Sequence, residues 1–134
     1  MMKLISRCLL VLWLAVLAPL AMADDSASFI RAVLQDNDVA MRNLLARGVD
    51  PNTKNEHGVP GLYVALQEGS LKVARLLIDS PRIKPEARNA TDESPLMMAS
   101  FKGYLDLAQR LIEKGADVNK PGWTPLHYAA TNGQ

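Results

Sequence analysis

Gly122-Trp123-Thr124-Pro125-Leu126-His127-Tyr128-Ala129 is the stretch whose reading decides the fold. Pro125 has a fixed φ and no N–H, which suits the first position of a helix. Thr124 precedes it and can cap that helix with its hydroxyl. Leu126 and Ala129 are three apart and share one helical face. Gly122 permits a tight turn ahead of the cap. By itself the stretch is a well-formed helix start.

The same frame returns upstream. Asp92-Glu93-Ser94-Pro95-Leu96-Met97-Met98-Ala99 is one echo, and Gly58-Val59-Pro60-Gly61-Leu62-Tyr63-Val64-Ala65 is another. Their leucines fall at 62, 96 and 126, spacings of 34 and 30. A second series agrees: Leu44-Leu45-Ala46-Arg47-Gly48-Val49-Asp50-Pro51-Asn52 recurs, close to two periods later, as Leu111-Ile112-Glu113-Lys114-Gly115-Ala116-Asp117-Val118-Asn119. A repeat of this length with two helical runs per period is the mark of a stacked array.

From Ser26 to its end the chain resembles ankyrin repeats, on the strength of Thr124–His127 and Gly115–Asn119. The resemblance implies an all-α solenoid of helix–turn–helix units joined by β-hairpin-like loops. It also implies a binding scaffold with a concave partner-binding face.

The helical runs follow that frame. Phe29, Ile30, Val33 and Leu34 have helical spacing, as do Met41, Leu44 and Leu45 up to Gly48. This first unit lacks the Thr-Pro-Leu-His start, as an outward-facing end unit does. Leu62–Glu68 is expected as an inner helix. Leu71–Asp79 is its outer partner, with Leu71, Ala74, Leu77 and Ile78 on one side. Ser80–Ala87 contains Pro81 and Pro85, which forbid a continuing helix and put the next hairpin's geometry in question. Pro95–Lys102 and Leu105–Lys114 form the clearest pair. The inner helix from Pro125 has no outer partner before Gln134, which leaves Leu126, Tyr128 and Ala130 poorly covered. The expectation is a truncated piece of a longer product, with a natural half-repeat cap as the alternative.

Residues 1–23 have a different composition. Lys3 and Arg7 precede a 12-residue apolar run from Leu9 to Leu20, and Ala21-Met22-Ala23 precedes the polar Asp24-Asp25. This is the form of a secretory signal peptide cleaved after Ala23. The run falls short of the ~20 residues a spanning helix needs. An uncleaved anchor is the alternative. The expected organisation is a signal peptide over 1–23 and a repeat domain of about three and a half units over 24–134. The one cysteine, Cys8, lies in the leader, so the mature chain has no disulfide framework and no thiolate ligand. Residues 24–134 carry 13 basic and 14 acidic side chains, with no basic stripe of the kind nucleic-acid binding needs.

No phosphate loop, His-Glu-x-x-His or Gly-x-Ser-x-Gly is present. His57 and His127 lie about two units apart along a stack, too far to share a metal or a proton. The expectation is a non-enzyme without metal or cofactor. By the resemblance, His127 ties its turn to Thr124, so Thr124, Pro125, Leu126 and His127 are structural. Tyr63 and Met97 stand at the matching places, where that tie is expected to be missing and the turn looser. The pattern Asn89-Ala90-Thr91 fits an N-glycosylation acceptor and is read as accidental beside a bacterial-type leader.

The resemblance also assigns partner contacts to the family's variable positions: Glu56, His57, Val59, Gln67, Glu68, Ala90, Thr91, Glu93, Phe101, Lys102, Trp123, Thr131 and Asn132. Phe101 is the anchor among them, unless it packs beneath the next hairpin. Arg75, Gln109, Arg110 and Glu113 on the outer helices read as ordinary solvated positions. The expected function is a monomeric protein-interaction scaffold exported to a bacterial periplasm, without membrane or nucleic-acid contact. The alternatives are an immunity-type inhibitor of an exported toxin and the N-terminal module of a longer enzyme.

Overall fold

The computed structural model describes residues 24–119, 125–131 and 133, with Tyr128 and Thr131 described by backbone alone. The signal-peptide expectation, Trp123, Thr124 and Asn132 therefore lie outside the described residues. Helix α1 covers residues 24–34. It is followed by α2 (Asp38–Ala46), α3 (Gly61–Glu68), α4 (Leu71–Asp79), α5 (Pro95–Lys102), α6 (Leu105–Glu113) and α7 (Pro125–Thr131).

Local chemistry sets the helix ends. Asn37 caps α2, its side-chain oxygen accepting from the Ala40 N–H at 3.0 Å. Pro95 opens α5, and Ser94 accepts from the Met97 N–H at 3.1 Å. Gly69 and Gly103 close α3 and α5 with φ of 76° and 74°, the left-handed conformation a glycine adopts without penalty. The bonds behind these turns repeat with the period of the sequence. Ser70 N–H donates to Ala65 O at 2.8 Å, and Tyr104 N–H donates to Ala99 O at 2.9 Å.

Two rows of helices result. α3 packs on α5 and α5 on α7, while α2, α4 and α6 form a second row behind them. The rows differ in pattern because they differ in neighbours. α3 buries every residue from Gly61 to Leu66, since helices flank it and α4 covers its back. The outer helices bury a narrower stripe: Val73, Ala74, Leu77 and Ile78 in α4, and Leu107 and Leu111 in α6. Leu62, Leu66, Leu77, Ile78, Leu96 and Leu111 are all at most 2% exposed. Burial of each such side chain contributes about 1.5–3 kcal/mol. α1 closes on α3 so tightly that a Cβ at Gly61 would lie 2.5 Å from the Phe29 ring.

Three expectations change. Leu71 is 38% exposed, and Val73 takes its place in the core. Leu71 sits at the first position of α4, whereas 73, 74, 77 and 78 form one continuous helical stripe. Arg75 is exposed, whereas Arg110 is half-buried, and both are paired. Arg75 pairs with Asp106 at 2.6 Å and Arg110 with Asp79 at 3.0 Å, which ties α4 to α6. The turn at Met97 is not loose either. Its thioether sulfur accepts from the Ser94 N–H at 3.3 Å, so methionine completes a reciprocal capping box that usually needs Glu or Gln.

Candidate functional site

Two loops project between the helix pairs, and each is built around one asparagine. Asn55 N–H donates to Val59 O at 2.9 Å, and the Asn55 side-chain oxygen accepts from the N–H groups of His57 and Val59 at 3.0 and 2.9 Å. Asn89 repeats this arrangement one period on. Its N–H donates to Glu93 O at 3.1 Å, and its side-chain oxygen accepts from the N–H groups of Thr91 and Glu93 at 3.1 and 2.9 Å. Both turns need a residue at positive φ, supplied by Gly58 at 75° and Asp92 at 63°. Aspartate tolerates this region better than most side chains. The second hairpin is therefore intact despite Pro81 and Pro85. The Asn89-Ala90-Thr91 pattern has its own structural reason: Asn89 makes the turn, and the Thr91 hydroxyl donates within it.

Bonds between units hold the two hairpins in register. The Asn52 amide donates to Arg82 O at 2.8 Å and accepts from the Lys84 N–H at 2.7 Å. Glu86, at the matching place in the next unit, accepts from the Asp117 N–H at 2.6 Å and pairs with Arg88 at 2.6 Å. The Tyr63 hydroxyl donates to the Glu93 carboxylate at 2.8 Å, and the Asn89 amide donates to the same oxygen at 2.8 Å. Tyr63 thus links its own unit to the next hairpin, where a local tie like that assigned to His127 was not expected. Sequence spacing does not reveal this link, because it depends on the offset between stacked units.

The candidate residues divide by exposure. Glu56 and His57 stand at the first tip with 86% and 77% of their side chains exposed. Ala90 and Thr91 are exposed at the second tip, and Gln67 and Glu68 at the end of α3. Val59 and Glu93 are half-buried, Val59 against the core and Glu93 within the hairpin bonds just described. Lys102 is half-buried. Phe101 is also half-buried and packs against the core, so its ring is not the freely exposed aromatic that an anchor implies. Leu126 and His127 are exposed on α7. Thr131 lies in α7, but its side chain is outside the description.

Among the described residues, no group of three or more His, Cys, Asp or Glu side chains is placed to hold a metal ion. No described helix is long and apolar enough to cross a membrane.

The repeated hairpin, helix pair and glycine turn have a counterpart in known sequences. A family model for ankyrin repeats (3 copies) matches residues 29–121 and again 82–134. The chain belongs to the ankyrin repeat family. Among relatives of these ankyrin repeats is alpha-latrocrustotoxin-Lt1a of Latrodectus tredecimguttatus, 34% identical over 94 residues, which is 69% of this chain and 7% of the toxin. The ankyrin repeat and SAM domain-containing protein 6 of Mus musculus is 34% identical over 89 residues, 63% of this chain and 10% of that protein. The poly [ADP-ribose] polymerase tankyrase of Caenorhabditis elegans is 38% identical over 70 residues, 50% of this chain and 3% of that protein. The chain thus spans a tenth or less of each of these relatives' length. Ankyrin repeats are modules of protein–protein interaction, and that much of the function follows from membership.

Proposed function

We propose that this ankyrin repeat chain is a non-enzymatic scaffold, exported to a bacterial periplasm, that binds one protein partner across its hairpin tips and inner-helix ends. Repetition of the hairpin carries the reading. Glu56 and His57 on one loop and Ala90 and Thr91 on the next stand exposed on turns of the same hydrogen-bonded form. Gln67 and Glu68 add exposed polar groups at the end of α3. The turns hold these side chains before any partner arrives, so little ordering entropy is lost on binding. The leader over residues 1–23 supports export.

The test is capture of a partner from a periplasmic extract, followed by titration of variants. His57→Ala combined with Ala90→Glu should weaken binding tenfold or more, while Glu113→Lys on the outer row leaves it unchanged. The captured mature chain should begin at Asp24. Binding that survives the tip changes and is lost with Glu113→Lys would place the site on the outer row and refute the reading. A mature chain still beginning at Met1 would refute cleavage.

A further inference from the structure

The two hairpins share one turn, yet they close on different residues. Val59 N–H and Glu93 N–H make the same bond, each donating to its asparagine's side-chain oxygen at 2.9 Å. Val59 stands one period before Glu93, so the turn itself needs no carboxylate at that position. The Val59 side chain packs on the core. The half-buried Glu93 side chain instead gathers donors onto one oxygen. Tyr63 Oη, Asn89 Nδ2 and Thr91 Oγ1 reach Glu93 Oε2 at 2.8, 2.8 and 2.9 Å. Thr91 Oγ1 is also 2.9 Å from Asn89 Oδ1, but that oxygen already accepts two N–H groups, which directs the hydroxyl proton to the carboxylate. Tyr63 is buried in α3, and Thr91 is exposed at the second tip. One oxygen thus joins the inner helix of one unit to the loop tip of the next.

That arrangement depends on charge. Hydrogen bonds to an ionised carboxylate are roughly twice as strong as neutral ones. A neutral carboxyl protonated on Oε1 would leave three donors facing a carbonyl oxygen with two lone pairs. Protonated on Oε2, it would add a fourth donor to the cluster. In either case at least one donor is released, and a half-buried donor without an acceptor is costly. Among the described residues, the other ionisable groups around Glu93 are Tyr63 from α3 and, in its own hairpin, Glu86, Arg88 and Asp92. A phenol stays protonated across the acid range. Arg88 pairs with Glu86 at 2.6 Å and with Asp92 at 3.7 Å. No acidic residue lies in the first turn of α5, which Glu93 precedes.

We propose that Glu93 is a proton-sensitive latch, which when ionised fastens the second hairpin to Tyr63 of α3 and when protonated releases the tip carrying Ala90 and Thr91. The folded state favours the charged form, so the fastening is complete at neutral pH and is lost as pH falls through the carboxylate range. Glu93 is then a positioning residue and not a partner contact. The consequence for binding rests on the scaffold reading above: the second tip loses its grip in acid while the first keeps its own.

Amide hydrogen exchange of the purified chain, corrected for the intrinsic effect of pH, tests the latch without a partner. Protection of the Glu93 N–H should fall about threefold or more between neutral pH and about pH 4, while that of the Val59 N–H holds. Glu93→Gln should abolish this difference, because its neutral amide does not titrate, and Asp92→Asn should leave it in place. Tyr63→Phe should lower Glu93 protection at neutral pH and flatten the profile, and it decides if the Glu93 variant loses its fold. Parallel loss at Val59 and Glu93 would mean general loosening in acid and overturns the proposal. So does a pH response that survives Glu93→Gln. Binding of a captured partner is a separate measurement. Affinity that ignores pH while the Glu93 amide responds would leave the latch standing and refute the second tip as a contact.

Discussion

Asn55 and Asn89 stand one period apart and perform the same task. Each turns its carboxamide oxygen back on two backbone N–H groups and so replaces a stretch of sheet with a side chain. Asn89 does more, because its amide also holds the Glu93 carboxylate that Tyr63 reaches from the preceding unit. Asn89→Ala should therefore cost about 1–2 kcal/mol in urea unfolding, and more than Asn55→Ala. Ala90→Ser at the exposed tip should change nothing measurable. Equal losses at 55 and 89 would mean that the Glu93 bonds contribute no net stability. Met97 carries a related lesson. Its sulfur is a weak acceptor, yet it lies where a capping residue's oxygen usually lies, at 3.3 Å from the Ser94 N–H. Residue type alone points to a missing tie; the backbone geometry shows a weaker one in the same place.

Among the elements, the helix frame is legible in the sequence because each signal answers a backbone requirement. Pro95 fits only a helix start, and Gly69 and Gly103 fit a left-handed turn. The hairpin over residues 80–94 is harder to read. Pro81 and Pro85 interrupt the pattern, and the one residue that rescues it, Asn89, announces itself only by its distance from Asn55. The bonds between units are illegible for a different reason. Arg75–Asp106 and Arg110–Asp79 join separate helices, and nothing local in α4 or α6 says that these side chains meet. Asp79, hydrogen-bonded to Arg110, raises that guanidinium further above its already high value. A raised folded-state value favours the fold while the group is charged and is lost only in strong alkali, so this contribution is constant across neutral pH. Salt is the sharper probe. A double-mutant cycle on Arg75→Ala and Asp106→Ala should give a coupling of about 0.2–1 kcal/mol that shrinks at high ionic strength. A coupling that salt leaves untouched would point to packing of the arginine stem instead.

For the whole molecule the consequence of stacking is that the place of a lesion matters as much as its size. Leu66 in α3 and Leu111 in α6 are both 0% exposed, and replacing either by alanine opens a cavity worth about 2–5 kcal/mol. Their neighbours differ. α3 packs on α4 and α5, and α1 closes on it at Gly61. α6 packs on α4 and α5 toward one end of the array. In a quasi-one-dimensional stack, stability is close to a sum of unit terms and nearest-neighbour terms. A defect in α3 should therefore weaken the coupling on both of its sides, whereas one in α6 weakens a single junction. Native-state hydrogen exchange separates the two cases. Leu66→Ala should lower amide protection from α2 through α6. Leu111→Ala should lower it in α6 and in α5, on which α6 packs, while α2 and α3 keep most of theirs. If both variants lose protection evenly along the chain, the array folds as one indivisible block and the nearest-neighbour account fails. If neither spreads beyond its own helix, the bonds between units, Tyr63 to Glu93 and Asn52 to Lys84 among them, transmit less than their lengths suggest.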